Sequence, residues 1–395
     1  MASGVLLVRH ITGVSAASTI TVDSATDDGT GCTLREAIQS SNTDTAVGGC
    51  TAGSGTGDTI EFDIAGAGPH TITPTSALPD ITQSVIIDGY TETGASANTN
   101  PAPQALNGTL MIEIDLSSAG APISITGSDV TVRGLVVNGA VGNALQAFSG
   151  GINARFEGNY IGTSVNGLAA DANGSHGIMS QVSGPVVGGT DPEDRNLISG
   201  NTARGVQFQT DAADNGVIQG NLIGTNATGN AAIGNGTGGI LVTGGDNTQI
   251  GGTTSGAQNV VSGNSSSGIA LIEGSITNTV QGNYIGIGND GSTDLGNSAD
   301  GLVVQNNSGN TIGGNTSAAR NIVSGNGSAG ISTGASDNNT IQGNYVGLNA
   351  AGTATVANDG RGIYLYQSSG AAIGGTTTST RNVIAGNSEG ISMEE

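Results

Sequence analysis

The sequence predicts an all-β protein: a single-stranded right-handed parallel β-helix of about 11 turns, with an N-terminal cap that contains a short helix. Three observations support this prediction. One phrase recurs at a nearly constant interval, each repeat holds short runs with alternating apolar residues, and 70 of the 395 residues are glycine, a poor helix former.

The recurring phrase is Gly-Asn-Tyr-Ile-Gly and its close variants, and its copies are 62, 62 and 61 residues apart. The copies begin at Gly158, Gly220, Gly282 and Gly343. A second phrase runs in step with the first and begins at Arg195, Gln258, Arg320 and Arg381. A fixed period of this length is typical of a stacked solenoid.

Each unit divides into two similar halves, and each half holds three short β-branched runs separated by Gly or Asn. The alternation of Ile240 and Val242 with other residues has a period of two, which predicts strands. Three strands per turn, stacked about 4.8 Å apart, form a β-helix. The Asn of each Gly-Asn pair then lies at a corner, where its amide can bond the neighbouring turn.

The chain divides into a cap, residues 1–58, and a β-helix, residues 59–395. Residues 33–39 predict a short helix with Leu34, Ala37 and Ile38 on one face. Cys32 and Cys50 are the only cysteines and flank this helix. A disulfide between them would stabilise the fold by about 3 kcal/mol, and the alternative is two free buried thiols.

The C-terminal residues 390–395 form one strand of a new turn, and no capping segment follows them. Solenoid ends expose unpaired strand edges. We therefore expect that the chain is truncated there and carries further domains, that another copy stacks end to end on this edge, or that Glu394 and Glu395 repel such partners.

The chain has no lysine, and its 9 arginines against 31 acidic residues give a net charge of −22. This charge argues against nucleic acid and anionic membranes as partners. The sequence also lacks an apolar run long enough to insert into a membrane.

Residues 32–38, Cys-Thr-Leu-Arg-Glu-Ala-Ile, resemble the CSLREA motif that opens many secreted bacterial β-helix proteins, with Thr33 in place of Ser. Residues 87–91, Ile-Asp-Gly-Tyr-Thr, and the repeated phrases are similar to the pectate-lyase-like repeats of that group. The resemblance implies an extracellular or cell-surface protein, often with further domains. It implies no established activity, and so it transfers no catalytic residues.

No pattern in the sequence defines a complete set of catalytic residues. Ser175-His176-Gly177 faintly resembles a Gly-His-Gly segment of pectinase-like hydrolases, but the paired aspartates and the Arg-x-Lys segment that accompany it are missing. His176 is then a surface residue at the start of a strand. A lyase or epimerase could instead use Arg320 or Arg381 beside a uronate carboxylate.

A ligand-binding groove is the next candidate. Arg195, Arg320 and Arg381 share one repeat position and predict a ladder with steps of about 9.6 Å, along which an anionic glycan could lie. The alternative is that each arginine holds its own loop. Tyr364 and Tyr366 point outward from one strand and are the best exposed aromatic pair for a polysaccharide.

A calcium site is possible at two acidic pairs, although the fold requires no cofactor. The pairs are Glu61 with Asp63 and Glu113 with Asp115, and the alternation of apolar residues turns all four carboxylates outward. If the two strands are stacked neighbours, the carboxylates share one face and favour Ca²⁺. Otherwise they are solvated surface charges.

Two functions follow from these patterns. The first is an extracellular or cell-surface rod with a structural or adhesive role, able to form filaments and without catalysis. The alternative is a polysaccharide lyase or glycoside hydrolase that acts on an acidic glycan, with Arg320, Arg381, Tyr364 and Tyr366 forming its groove.

Overall fold

The computed structural model describes residues 17–55, 57–210 and 213–395, and there the chain winds as a parallel β-helix. Residues 1–16 and 56 of the predicted cap lie outside the described residues. The helix α1 spans Leu34–Thr43. The strands are β1 Thr19–Val22, β2 Asp58–Phe62, β3 His70–Ile72, β4 Val85–Asp88, β5 Ile112–Asp115, β6 Ile123–Ile125, β7 Thr131–Arg133, β8 Leu135–Asn138, β9 Leu145–Ala147, β10 Arg155–Glu157, β11 Tyr160–Ile161, β12 Ile178–Ser180, β13 Val186–Gly188, β14 Leu197–Ile198, β15 Arg204–Gln209, β16 Val217–Gln219, β17 Leu222–Ile223, β18 Gly238–Thr243, β19 Gln249–Gly251, β20 Val260–Val261, β21 Ile269–Ile272, β22 Thr279–Gln281, β23 Tyr284–Ile285, β24 Leu302–Gln305, β25 Thr311–Gly313, β26 Ile322–Val323, β27 Ile331–Gly334, β28 Thr340–Gln342, β29 Tyr345–Val346, β30 Arg361–Tyr366, β31 Ala372–Ile373, β32 Val383–Ile384 and β33 Glu389–Glu394.

The strands form three parallel sheets, because from β4 onward each turn contributes one strand to each sheet in the same order. The first sheet has 12 strands, in the order β1-β2-β4-β7-β10-β13-β16-β19-β22-β25-β28-β31. The second has 11, β3-β5-β8-β11-β14-β17-β20-β23-β26-β29-β32. The third has 10, β6-β9-β12-β15-β18-β21-β24-β27-β30-β33. The predicted fold class is confirmed.

Inward side chains stack in register from turn to turn and form one continuous apolar core. In the first sheet, for example, Ile218, Ile250, Val280 and Ile312 are aligned and each is 0% exposed. Alternation along the strands provides at least one such column in each sheet and two in the third, so the core grows with the number of turns.

Two buried ladders of asparagine close the corners on either side of the second sheet. In one ladder, the Asn196 side-chain amide donates to Asn221 at 2.8 Å and that of Asn221 donates to Asn259 at 3.0 Å. In the other, Asn201 donates to Asn235 at 2.9 Å in the same way. Each amide also donates to a backbone carbonyl, so the ladders satisfy buried polar groups that the sharp corners would otherwise leave unpaired.

The N-terminal end is covered by α1. The hydroxyl of Thr33 accepts from the backbone of Glu36, whose side chain bonds back to Thr33, a capping box that starts the helix. The disulfide between Cys32 and Cys50 is present, which confirms the predicted pairing. The first sheet begins at β1, inside the segment assigned to the cap, because β1 pairs in parallel with β2.

The last described turn differs from the N-terminal end, because its inward-type side chains are exposed. Ile391 and Met393 are aligned with the core residues Ile363 and Leu365 of the preceding turn. They are 47% and 74% exposed, whereas Ile363 and Leu365 are 0% and 4% exposed.

A second apolar layer lies on the outer face of the second sheet. Its outward positions hold Val136, Leu197, Leu222 and Val260, each 0% exposed. Hairpins that follow every second strand of this sheet fold back over them, with bridges at Thr163 to Ala170, Thr225 to Ala232, Ile287 to Asp294 and Leu348 to Thr355. One hairpin per two turns gives the repeat its length.

The hairpins also stack on each other. The backbone N–H of Ala227 donates to Gly167 at 2.9 Å, that of Asn289 to Gly229 at 3.0 Å and that of Ala350 to Gly291 at 2.8 Å. The covering layer is therefore periodic, like the coils beneath it.

Candidate functional site

A trough crosses the outer face of the third sheet along β27. Its floor consists of the small outward residues Ser332 and Gly334, which lie between Val303 and Gln305 of β24 and the two tyrosines of β30. The walls are two strand spacings apart, about 9.6 Å. The volume of this open trough is about 270 Å³.

The two predicted tyrosines form one wall and differ in their contacts. Tyr366 is 41% exposed and offers an open ring face. Tyr364 is held in place: the Arg361 guanidinium lies 4.2 Å from its ring centre, and its hydroxyl donates to Glu394 at 2.8 Å. The hydrogen bond to Glu394 raises the pKa of Tyr364.

Asp300 closes the opposite side of the trough. Its carboxylate accepts from the backbone of Ala329 and from the hydroxyl of Ser332, both at 2.8 Å. Beyond Asp300 and Tyr364 the trough meets a second cavity of about 400 Å³, lined in part by Arg361 and Glu389.

The charges around the trough are mainly negative. Asp300, Glu389 and Glu394 provide three carboxylates, and Arg361 provides one guanidinium, which pairs with both glutamates at 3.1 and 2.9 Å. This balance favours a neutral or cationic ligand over a polyuronate.

Arg195 lies inside the molecule, which corrects its prediction as a ligand-binding residue. It is 1% exposed, its Nε donates to the Gly220 carbonyl at 2.8 Å and its Nη1 donates to Asn100 at 2.8 Å. Burial lowers its pKa to about 10. Arg195 thus holds the segment around Asn100 against the corner of the coil.

Arg320 and Arg381 do precede strands that are two and four turns beyond the strand that follows Gln258, as a ladder requires. The Nε of Arg320 donates to the Gly343 carbonyl at 3.1 Å, and its guanidinium lies 4.0 Å above the Tyr345 ring. Arg381 is exposed. Arg320 therefore has the same contact to the next turn as Arg195, because Gly343 and Gly220 are equivalent in the repeat.

The predicted catalytic candidates are not assembled into one site. His176 precedes a strand of the third sheet, whereas Arg320 and Arg381 precede strands of the second. The Nδ1 of His176 accepts from the backbone of Arg204 at 3.2 Å, and burial together with Arg204 lowers the pKa of His176. The two tyrosines are on the third sheet, so the predicted groove of arginines and tyrosines does not form.

The acidic pairs predicted for calcium lie in different sheets. Glu61 belongs to β2 of the first sheet and aligns with Asp88, whereas Glu113 and Asp115 belong to β5 of the second. The condition that their strands are stacked neighbours is therefore wrong. Within the described ranges, no group of three His, Cys, Asp or Glu residues is arranged to hold a metal ion.

A pocket that the sequence analysis missed lies on the first sheet. It measures about 380 Å³ and is lined by Tyr90, Arg133, Glu157 and Asp194, among others. Burial, followed by the charges of Glu157 and other acidic neighbours, raises the pKa of Asp194 to about 6. Glu157 pairs with Arg155 at 2.6 Å, so this pocket combines a carboxyl whose pKa is raised with an ion-paired one.

The repeat contains a signal for this pocket. Asp194 occupies the position of Ala257 and Ala319 in the later copies of the second phrase. The fourth copy holds Thr380 there, so among the four copies only Asp194 carries a charge at this position.

The fold is shared with solved β-helix proteins. The chain covers 92% of the mannuronan C-5 epimerase AlgE4 A-module of Azotobacter vinelandii over 90% of its own length, with 13% identity and a TM-score of 0.53. At this identity the likeness shows the fold alone, that of a pectate-lyase-like parallel β-helix.

Weaker likenesses are to the Dettilon tailspike protein, with 14% identity, 85% coverage of this chain and a TM-score of 0.44, and to a mutant of the periplasmic alginate epimerase AlgG, with 13%, 76% and 0.36. The chain spans only 62% and 60% of those two proteins. No protein-family model matches the chain, and no curated protein matches it in sequence. Among the described residues, no helix is long and apolar enough to cross a membrane.

Proposed function

We propose that the protein is an extracellular or cell-surface β-helix rod that adheres to a polysaccharide through the trough of the third sheet, without catalysis. The disulfide of the cap suits an oxidising compartment, and the resemblance of residues 32–38 to the CSLREA motif supports export. The continuous core and paired ladders make the rod stiff enough to present a fixed surface.

The observation that supports adhesion most strongly is the open ring of Tyr366 beside a floor of Ser332 and Gly334. A sugar ring can lie on the floor and place its apolar face on the tyrosine, and Asp300 and Gln305 can bond its hydroxyls. The surplus of carboxylates makes a neutral polysaccharide the preferred ligand.

Binding to soluble neutral glucans and mannans, measured by biolayer interferometry with alginate as the charged comparator, tests this proposal. We expect Tyr366→Ala to weaken binding about tenfold and Tyr366→Phe to retain it, because the ring provides the contact. Thr243→Ala, at an outward position on the same sheet, is the matched control. Absence of neutral-glycan binding, or equal binding by Tyr366→Ala, would contradict the proposal.

The filament role is part of the same proposal. Ile391 and Met393 present core-type side chains at the open turn, and the edges of β31, β32 and β33 can accept further strands. The partner is then a second copy or a further domain. Electron microscopy and sedimentation of the purified chain should show end-to-end rods that Met393→Asp shortens. Single short rods at all concentrations would remove self-assembly from the proposal.

A glycan-cleaving enzyme is the second candidate, and the pocket of Asp194 and Glu157 favours it. Glycoside hydrolysis uses two carboxyl groups in different environments, and here the pKa of Asp194 is raised while Glu157 is ion-paired with Arg155. Incubation with polyuronates and neutral glycans, followed by assays for unsaturated products and reducing ends, decides between the candidates. Turnover that Asp194→Asn abolishes would replace the non-catalytic proposal.

A further inference from the structure

A pocket of about 650 Å³ opens on the outer face of the second sheet, apart from the trough. It lies between residues 108–111 and the hairpin that bridges Thr163 and Ala170. Its walls are mostly apolar and include Leu110, Met111 and Val165. Glu113, Tyr160 and Asp171 supply its main polar groups.

The floor of this pocket is set by strand register. Glu113 aligns with Val136, and Val136 aligns with Tyr160, on the successive strands β5, β8 and β11. Glu113 and Tyr160 are therefore about 9.6 Å apart along the sheet. Val136, which is 0% exposed, lies between them. The pocket thus has a carboxylate at one end and a phenol at the other.

The acidic end is oriented and carries surplus charge. The Glu113 carboxylate accepts from the Thr71 hydroxyl at 2.6 Å and from the Asn138 amide at 2.8 Å, which leaves it further lone pairs. Burial, followed by the charges of Glu113 and Asp115, raises the pKa of Asp171. The lining residues include no arginine or histidine that could neutralise these carboxylates.

Tyr160 provides an independent sign of a ligand. Tyr160 is 5% exposed, and its hydroxyl makes no hydrogen bond within residues 17–55, 57–210 and 213–395. The oxygen is not among the fully enclosed polar atoms, so a molecule bound in the pocket can reach it. Burial raises its pKa to about 12, so the phenol stays protonated. Tyr90 differs, since its hydroxyl donates to the carbonyls of Gly158 and Glu193.

The repeat itself singles out Asp171. The backbone N–H of Asp171 donates to Gly162, and the N–H groups at the equivalent positions donate to the equivalent glycines. Those positions hold Ile233, Leu295 and Val356. An apolar residue therefore makes the same backbone hydrogen bond at this position, so the fold does not require the Asp171 carboxylate.

We propose that this pocket binds a small organic cation: an amine that meets Glu113 and Asp171, carried on an apolar body that ends in a hydrogen-bond acceptor for the Tyr160 hydroxyl. The apolar body packs against Leu110, Met111 and Val165. The amine offsets the mutual repulsion of the carboxylates, and the acceptor completes the unpaired phenol.

Calorimetric titration at neutral pH with three small probes tests each element. Tyramine carries the amine, the ring and an oxygen at the far end. Tyrosol has the same body with a hydroxyl in place of the amine, and phenethylamine lacks the far oxygen. We expect tyramine to bind with a dissociation constant of about 1 mM or lower, and each comparator to bind about fivefold more weakly.

The variants locate the site. Glu113→Gln and Asp171→Ile should each weaken tyramine binding about fivefold, and Tyr160→Phe should weaken tyramine but leave phenethylamine unchanged. Asp171→Ile introduces the residue that the next repeat carries, so its melting temperature should match that of the wild type. Asp294→Asn, an exposed carboxylate in another hairpin of the stack, is the control.

Three results would overturn the inference: no saturable tyramine binding, equal binding of tyramine and tyrosol, or unchanged tyramine binding by Glu113→Gln and folded Asp171→Ile. Because the trough lies on a different sheet, these results are independent of polysaccharide binding.

Discussion

The outer faces of the second and third sheets show how one β-helix separates stability from binding. Outward residues of the second sheet, such as Leu197 and Leu222, are 0% exposed because hairpins cover them. On the third sheet the outward residues Val303 and Tyr366 are partly exposed and line the trough, which no hairpin among the described residues covers. The same strand geometry gives a second core where loops fold back, and a ligand-accessible surface where they do not.

The largest expected effect comes from the covered face. Leu222→Ala removes a fully buried outward side chain and leaves a cavity under the hairpins, which should cost about 3 kcal/mol. Urea unfolding followed by circular dichroism measures this loss. A loss below about 1 kcal/mol would show that the hairpins do not form a true core.

A matched pair of valines compares the two faces directly. Val260 on the second sheet is 0% exposed, whereas Val303 on the third is partly exposed. Val260→Ala should cost about 1.5 kcal/mol and Val303→Ala about 0.5 kcal/mol or less. Equal losses in urea unfolding would mean that the exposure of a face does not determine how much its side chains contribute to the free energy of unfolding.

The pocket on the first sheet, which residues 97–99 help to line, leads to a prediction about pH. The pKa of Asp194 in the folded state is about 6, above the ordinary aspartate value of 3.8, so between these two pH values the folded state holds a proton that the unfolded state releases. Stability should therefore fall as the pH rises from about 4 through 6. Melting temperatures across this range should show the decrease, and Asp194→Asn should reduce it. An unchanged slope in this variant would assign the effect to other groups.

The smallest effect on stability is expected at the trough. Tyr366→Ala removes a ring that is 41% exposed and should change the free energy of unfolding by about 0.5 kcal/mol or less, although it removes the proposed sugar contact. Thermal unfolding beside the binding assay provides the comparison. A loss as large as that of Leu222→Ala would make Tyr366 a structural residue.

Much of this contrast was accessible from the sequence. The period predicted the turns and corner asparagines, and alternation predicted that Tyr364 and Tyr366 point outward, as β30 shows. The covered face also left a signal, since its strands pair two apolar residues, as in Leu222-Ile223 and Val260-Val261, where a half-exposed strand would alternate.

Other features could not be read from the pattern. The strand of Glu61 belongs to the first sheet and that of Glu113 to the second, and the chain between them holds β3, β4 and long loops that do not follow the repeat. Period two shows which side of a strand a residue occupies, but it does not show which sheet the strand joins. The sequence likewise gave no reason to bury Arg195, whose partner Asn100 lies in a distant segment.

The amino-acid sequence by itself determined the coiled architecture, its corner ladders and its disulfide, because each depends on a spacing that repeats locally or on a unique pair of cysteines. The tertiary structure alone decided which outer face is covered, where Arg195 bonds, and that Glu113, Tyr160 and Asp171 share a pocket. These outcomes depend on how irregular loops pack across several turns, and a repeating pattern carries no information about contacts between segments outside its period.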